Sequence, residues 1–160
     1  MRISVHAVGR MKAGPEKELA DRFFDRFKKA GPAIGLEFSG IGEFPESRAQ
    51  SAAERKSDEA ARFVDKIATG AHLILLDERG KNFSSDEFTR HLGRLKDGGQ
   101  RDLAIAIGGP DGFDPAFRDT AGLVLSFGKA TWPHQLVRVM LAEQLYRAAT
   151  ILSGHPYHRA

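Results

Sequence analysis

The end of the chain concentrates side chains that can handle protons and negative charge. His155, Tyr157, His158 and Arg159 bring two imidazoles, a phenol and a guanidinium together just before the terminal alanine. Imidazole titrates near neutral pH, and a guanidinium binds phosphate or stabilises an anion. These four residues are therefore the candidate catalytic residues. Two alternative roles are open: Tyr157 could simply pack the tail (residues 155–159) against the fold, and the histidines could bind a metal ion. The chain has no cysteine and no paired carboxylates near these histidines, so we predict no metal there.

A second group of candidates lies where three predicted strands end. In an open parallel sheet, ligands bind beyond the carboxyl ends of the strands. Paired glycines at such an end let the backbone approach a ligand closely and expose its N–H and C=O groups. The three strand ends are Leu76-Asp77, Gly108-Gly109 and Phe127-Gly128-Lys129.

The spacing of these glycines excludes two common phosphate sites. The sequence contains no G-x-x-x-x-G-K-[ST] motif, and Gly108-Gly-Pro-Asp-Gly112 does not have the G-x-G-x-x-G spacing. We expect a ligand without a phosphate cradle, held in an apolar pocket edged by backbone groups.

The elements that position these residues alternate between strands and helices. Predicted strands cover 2–8, 36–41, 72–77, 102–107 and 123–126, and predicted helices run from Pro15 to Gly31, from Ser47 to Ala68, from Ser84 to Gly98, from Asp114 to Arg118 and from Pro133 to Leu152. Such alternation predicts an α/β fold, a mainly parallel sheet sandwiched by helices. The sequence has no repeats, low-complexity runs or linkers, so residues 1–160 are predicted to form a single domain.

Two of these helices have a predicted apolar face. In the last helix, Pro133 suits the first turn and Thr131 is predicted to cap the free amides. Its apolar stripe consists of Val137, Leu141, Leu145, Ala148 and Leu152. In the helix from Ser47 to Ala68, the residues predicted to face inward are Ala53, Ala60, Phe63, Val64 and Ile67.

Composition limits the function only loosely. The 24 lysines and arginines against 21 acidic residues give a net charge of +3, which permits an RNA partner without requiring one. The absence of cysteine excludes disulfides, thiolate zinc sites and a cysteine nucleophile. No apolar run approaches the roughly 18–20 residues of a membrane span, and no secretory signal is visible, so we predict a cytoplasmic protein.

Four spaced motifs together resemble a known family. They are Ile107-Gly-Gly-Pro-Asp-Gly112, Thr131-Trp-Pro-His-Gln-Leu-Val-Arg138, Glu143-Gln-Leu-Tyr-Arg147 and His155-Pro-Tyr-His-Arg159. The combination resembles the RlmH family, the SPOUT-class methyltransferases of large-subunit ribosomal RNA, and the resemblance spans essentially the whole chain. It implies a C-terminal trefoil knot, a homodimer, S-adenosylmethionine as methyl donor, and methylation of N3 of a pseudouridine in 23S rRNA.

The resemblance also implies roles for particular residues. The cofactor-binding positions would be Leu76, Gly108, Phe127, Gly128, Lys129, Ala130, Thr131 and Trp132. From its position after the long helix, and not from the resemblance, we expect the tail to act in transfer to RNA rather than in cofactor binding, with Arg159 and either Arg138 or Arg147 holding phosphate or negative charge. Two other functions remain open: a non-catalytic ribosome- or RNA-binding protein, and a related methyltransferase acting on tRNA.

Overall fold

The computed structural model describes residues 1–159. Within them, strands and helices alternate as the sequence predicts. The strands are β1 (Arg2–Val8), β2 (Glu37–Phe44), β3 (His72–Asn82), β4 (Asp102–Ile107) and β5 (Leu123–Ser126). The α-helices are α1 (Pro15–Ala30), α2 (Ala52–Lys66), α3 (Ser85–Asp97), α4 (Pro115–Asp119) and α5 (His134–Ser153), with a 3₁₀ turn over Pro32–Ile34.

The strands form one sheet in the order β2-β1-β4-β3-β5, and every pairing is parallel. The predicted α/β fold with a parallel sheet between helices is therefore confirmed. The connection from β4 to β5 crosses β3, which places the ends of β4, β3 and β5 side by side at one edge. The trefoil knot stays a prediction.

Both faces of the sheet are covered, as the continuous apolar run of β3 indicates. Ile74 and Leu76 point into the core shared with α1, α3 and α5. Leu73 and Leu75 point into the opposite core, which contains Phe63 of α2 and Phe117 of α4.

The predicted faces of the two helices are only partly right. In α5, Leu141, Leu145 and Ala148 are fully buried, but Leu152 is 36% exposed because it lies in the last turn. Thr131 does not cap α5: the N-cap is Pro133, and the Thr131 hydroxyl instead donates to Glu78 Oε2 at 2.7 Å.

Helix α2 has an unexpected residue inside. It begins later than predicted because Ser51 is its N-cap and forms a capping box with Glu54. Phe63 is buried as predicted, but Val64 is 66% exposed, whereas the carboxylate residue Glu59 is only 3% exposed. The apolar pattern does not predict the burial of Glu59, because this side chain is buried where it accepts a hydrogen bond from the Ser47 N–H.

Two partly buried histidines should make stability depend on pH. The rings of His72 in β3 and His91 in α3 lie 5.3 Å apart, and neither Nε2 atom has a hydrogen-bond partner. Burial lowers the pKa of both from the ordinary value of 6.5, and for His91 the nearby His72 and Arg94 lower it further. As the pH falls below that value, the unfolded chain takes up protons that the folded chain refuses, so stability falls.

We therefore expect the melting temperature to drop as the pH is lowered from about 7.5 to about 5.5, by about 2–4 °C per kcal/mol lost in a domain of this size. A His72→Gln/His91→Gln double variant should show a shallower drop. Part of the slope should persist because burial also lowers the pKa of His6. Equal slopes in the variant and the wild type would show that this pair does not control the pH dependence.

Candidate cofactor cleft and C-terminal tail

A cavity of about 580 Å³ lies beyond the carboxyl ends of β3, β4 and β5. Its lining comes from residues 76–79 of β3, from the glycine loop (residues 108–112) with its flanking residues, from the end of β5 and the cleft loop (residues 127–133) that follows it, and from His134 and Val137 of α5. We call this cavity the cleft. Its position agrees with the rule that ligands of parallel sheets bind at these strand ends.

Residues 76–79 of β3 form one wall: the strand does not end at Asp77 as predicted but continues to Asn82, with a bulge away from β5. Residues up to Leu76 pair with β5, residues 77–80 do not, and pairing resumes at Lys81. In the bulge, the Asp77 carboxylate accepts hydrogen bonds from the Arg79 N–H at 2.8 Å and from the Arg118 guanidinium at 2.5 Å. These bonds fix the bulge at the mouth of the cleft.

The glycine loop is closed by a backbone hydrogen bond and packs closely against the ring of Phe113. Gly109 and Gly112 close it through a hydrogen bond of 3.0 Å from the Gly112 N–H to the Gly109 carbonyl. A Cβ atom on Gly108 would lie 3.2 Å from the ring of Phe113, which also lines the cleft. A side chain at position 108 must therefore displace this aromatic wall.

The cleft loop is ordered by its own side chains and by β3. The Ser126 hydroxyl accepts from the Gly128 N–H at 3.1 Å and donates to the Gly128 carbonyl at 2.6 Å. The Trp132 indole N–H donates to the Phe127 carbonyl at 3.3 Å, and the bond from Thr131 to Glu78 ties the loop to the β3 bulge. Trp132 is 43% exposed and lines the cleft instead of entering the core.

The structure brings together the predicted cofactor-binding residues, with one exception. Leu76, Gly108, Phe127, Gly128, Ala130, Thr131 and Trp132 all line the cleft. Lys129 lies in the cleft loop but does not line the cleft, and its side chain is exposed. Whether these residues bind a cofactor stays a prediction.

Sequence reasoning missed several lining residues. They include Glu78, Phe113, His134 and Val137. Phe113 and Val137 have ordinary core side chains, so residue type carries no signal. Their nearness to the predicted loops was the only available indication.

The tail packs against α5 and α3. The Tyr157 hydroxyl donates to Glu143 Oε1 at 3.0 Å, and its ring lies 4.8 Å from Tyr146. The Arg147 guanidinium lies 4.9 Å from the centre of the Tyr157 ring and forms an ion pair with Glu143 at 2.5 Å. The motif around Glu143 and the terminal motif are thus one cluster.

Hydrogen bonds determine the neutral tautomer of His158. The Arg147 guanidinium can only donate, and it lies 3.1 Å from His158 Nδ1, so Nδ1 is the acceptor. The proton of the neutral ring then sits on Nε2, which lies 3.6 Å from an oxygen of Asp86. His158 therefore bonds the tail to α5 and lies beside Asp86 of α3 without a hydrogen bond to it.

Tyr157 is suited to donating a hydrogen bond rather than to accepting a proton. Partial burial raises the pKa of the Tyr157 phenol, and its hydrogen bond to Glu143 raises it further. At neutral pH the phenol keeps its proton. Of the four predicted catalytic residues, only His155 and Arg159 are exposed.

The tail and the cleft do not meet within one chain. None of His155, Tyr157, His158 and Arg159 lines the cleft. The prediction that they are catalytic is therefore not supported by their position in a single chain, and it stays a prediction.

Arg138 cannot hold phosphate as predicted. It is 4% exposed, its guanidinium forms an ion pair with Glu43, and it donates to the Gly9 carbonyl at 2.6 Å. It therefore joins α5 to the ends of β1 and β2. The sequence pattern placed it outside the apolar stripe, but a paired guanidinium can be buried there.

Arg138→Met should lower the free energy of unfolding by about 2–4 kcal/mol, because the Gly9 carbonyl loses this donor and the Glu43 carboxylate, which keeps a bond from the Met11 N–H, loses its buried cation. Urea unfolding measures this loss. The matched control is Arg2→Met, at a largely exposed ion pair with Asp102, which should cost much less because solvent screens such a pair. Equal losses in the two variants would contradict a special role for Arg138.

Comparison with known proteins decides the family. A family model described as "Predicted SPOUT methyltransferase" matches residues 1–158. The chain belongs to the SPOUT methyltransferase family. Within it, the resemblance to the RlmH family is confirmed: proteins named "Ribosomal RNA large subunit methyltransferase H" are 67% identical in Mesorhizobium japonicum and 62% identical in Brucella anthropi, and each alignment covers 100% of both chains.

Among solved structures, the similarity found is distant. The SpoU methyltransferase AviRb from Streptomyces viridochromogenes, solved in complex with AdoMet, aligns with a TM-score of 0.40 at 10% identity, over 92% of this chain and 59% of that one.

Two further features are absent from residues 1–159. No group of three or more His, Cys, Asp or Glu side chains is arranged to hold a metal ion. No helix in this part of the chain is both long and apolar enough to cross a membrane.

Proposed function

We propose that this protein transfers a methyl group from S-adenosylmethionine to N3 of a pseudouridine in the 23S rRNA of the large ribosomal subunit. The observation that carries the proposal is the cleft, where three strand ends converge as the family resemblance implies. The relatives named as large-subunit rRNA methyltransferases support the RNA substrate, because they align over their full length. Such a protein would act in the cytoplasm, with the ribosomal subunit.

The residues of the cleft fit S-adenosylmethionine. Its volume of about 580 Å³ is within the usual range for small-molecule sites. Leu76, Phe113 and Trp132 offer apolar and aromatic surface to an adenine ring. The glycine loop and the cleft loop offer backbone N–H and C=O groups to its polar edges and to the amino-acid part.

When bound, the cofactor supplies an electrophilic methyl group on a sulfonium. The protein has to position the base in line with that methyl group, because such a displacement depends on near-attack geometry. The bonds from Ser126 and Thr131 keep the cleft loop in place. N3 of the base must also lose a proton.

We propose that the tail divides its work between anchoring and RNA contact. Tyr157 and His158 hold the tail on Glu143 and Arg147. His155 and Arg159 remain exposed. The neutral His155 ring accepts from the Tyr157 N–H at Nδ1, so Nε2 carries its proton and faces outward as a donor. Arg159 supplies a cation for phosphate or for negative charge on the base.

We further propose that the protein is a homodimer. A second groove of about 510 Å³ lies between α5, the start of α3 and the ends of β3 and β5, and its lining includes the apolar residues Phe23, Val139 and Met140 beside polar ones such as Glu143. Leu136 on α5 is also exposed. Apolar surface of this kind on the helix that already packs into the core suits a symmetric partner contact. Sedimentation showing an active monomer at micromolar concentration would contradict the dimer.

Cofactor binding can be tested directly by thermal unfolding. S-adenosylmethionine at about 100 times its dissociation constant should stabilise the fold by about 2.7 kcal/mol and raise the melting temperature accordingly. ATP at the same concentration is the control for adenine binding alone. No shift with S-adenosylmethionine would favour the alternative of an RNA-binding protein without cofactor chemistry. Parallel methylation of ribosomal subunits and tRNA tests the substrate.

A further inference from the structure

Helix α2 carries a buried carboxylate that touches the back of the glycine loop. One oxygen of Glu59 accepts a hydrogen bond from the Ser47 N–H at 3.0 Å. The other oxygen, Oε2, is buried and has no hydrogen-bond partner. A Cβ atom on Gly109 would lie 3.1 Å from this Oε2 and 3.1 Å from Val8 Cγ1. Gly109 is therefore wedged between Glu59 and β1.

The same helix holds the other end of the glycine loop. Arg55 is one turn before Glu59, and its guanidinium binds both oxygens of Asp111, at 2.7 and 3.1 Å. Such a two-point bond between a guanidinium and a carboxylate fixes orientation as well as distance. Gly109 and Asp111 both line the cleft, whereas Glu59 and Arg55 do not. Helix α2 thus contacts the loop from the side away from the ligand.

Burial of a carboxylate with an unpaired oxygen costs free energy, so the position of Glu59 requires an explanation. Burial raises the pKa of the Glu59 carboxyl, which the Ser47 N–H partly opposes. An apolar residue would fill the space without an unpaired carboxylate oxygen, but it would leave the Ser47 N–H without its acceptor. Glu59 accepts the hydrogen bond of the Ser47 N–H with one oxygen, and its other oxygen lies beside Gly109.

We propose that Glu59 and Arg55 are positioning residues that hold the glycine loop in the conformation that binds the ligand of the cleft. Glu59 limits how far the loop can move toward α2 at Gly109. Arg55 fixes the orientation of the loop at Asp111. This inference rests on the proposed function, with S-adenosylmethionine as the ligand. Because neither residue reaches the cleft, both act through the loop, and their loss should weaken binding of the cofactor more than it slows transfer.

The test compares Glu59→Ala with two matched variants. Glu59→Gln keeps the shape and an oxygen for the Ser47 N–H. Asp58→Ala removes the neighbouring carboxylate, which accepts from the Ser47 hydroxyl at 2.8 Å but is not among the groups nearest the glycine loop. Calorimetry gives the dissociation constant of S-adenosylmethionine, and methylation of ribosomal subunits gives KM and kcat. Circular dichroism without ligand checks the fold of each variant.

Glu59→Ala should raise the dissociation constant and the KM for S-adenosylmethionine about tenfold, with kcat at saturation within about threefold. Glu59→Gln and Asp58→Ala should each stay within about twofold of wild type. If Glu59→Ala does not fold, Arg55→Met provides the test, and it should also raise this KM by roughly fivefold to tenfold with little change in kcat.

Several results would overturn the inference. Unchanged cofactor affinity in folded Glu59→Ala, or in Arg55→Met where that variant replaces it, removes the positioning role. An equal loss in Asp58→Ala assigns the effect to the Ser47 segment instead, and an equal loss in Glu59→Gln shows that the shape of the side chain is not what matters. Failure of the wild type itself to bind S-adenosylmethionine would overturn the proposed function together with this inference.

Discussion

Gly108→Val should abolish detectable binding of S-adenosylmethionine while the far-UV circular dichroism stays close to wild type. The space beside Gly108 is occupied by the Phe113 ring, 3.2 Å from the position of an added Cβ atom. Valine would push this ring, and Phe113 lines the cleft. Interiors are packed too closely to absorb two further methyl groups without a shift. Calorimetry with S-adenosylmethionine measures the effect.

Gly108→Ala provides a graded control. A single Cβ requires Phe113 to move by only a few tenths of an ångström, so affinity should fall by no more than about tenfold. Gly70→Ala, which meets no atom within 4 Å and has a positive φ of 80°, controls for backbone strain away from the cleft. Unchanged affinity in folded Gly108→Val would remove the glycine loop from the binding site.

Truncation after Gly154 should reduce methylation of ribosomal subunits by about 10²-fold or more, the typical effect of losing positioned acid-base or electrostatic groups. Affinity for S-adenosylmethionine should stay within a few-fold of wild type, because no tail residue lines the cleft. Single His158→Ala and Arg159→Ala variants should each show part of the loss. His158→Ala frees the tail from Arg147, whereas Arg159→Ala removes an exposed cation.

Two results would contradict this division of work. Normal methylation by the truncated protein would make the tail structural. Loss of cofactor binding would place the tail in the binding site.

Mixed dimers can show how the tail reaches the cleft. Within one chain the tail packs on α5 and α3 and does not line the cleft. If the tail of one protomer serves the cleft of its partner, mixing the Gly108→Val protein with the truncated protein should restore activity in the mixed dimer, because one intact cleft then meets one intact tail. If the tail serves its own cleft by moving, the mixture should remain inactive.

The fold was predictable because each element carries a strong local signal. The apolar run from Leu73 to Leu76 predicts a strand covered on both faces, and α3 starts at its predicted N-cap, Ser84. The order of the strands was not predictable from these signals, because the pairing of β3 with both β4 and β5 depends on contacts distant in sequence. Family resemblance supplied the SPOUT class.

The parts of the site that are formed by backbone at strand ends could be predicted from the sequence. The buried charged residues that support the site could not. Glycines at the predicted strand ends indicated where the cleft lies, and they line the cleft in the structure. Glu59 and Arg138 were missed because helical periodicity treats charged residues as surface residues. Each is buried because it has a specific partner from another element: the Ser47 N–H for Glu59, and Glu43 for Arg138. Such pairs are visible only in three dimensions.

The most direct test of the proposed function is transfer of labelled methyl from S-adenosylmethionine to ribosomal subunits that lack the modification. Purified protein is incubated with these subunits, and the 23S rRNA is digested and examined by mass spectrometry. We expect a single added methyl group, on N3 of a pseudouridine in 23S rRNA, and none when the Gly108→Val protein is used. Methylation of tRNA instead, or no methyl transfer by a folded protein that binds RNA, would contradict the account.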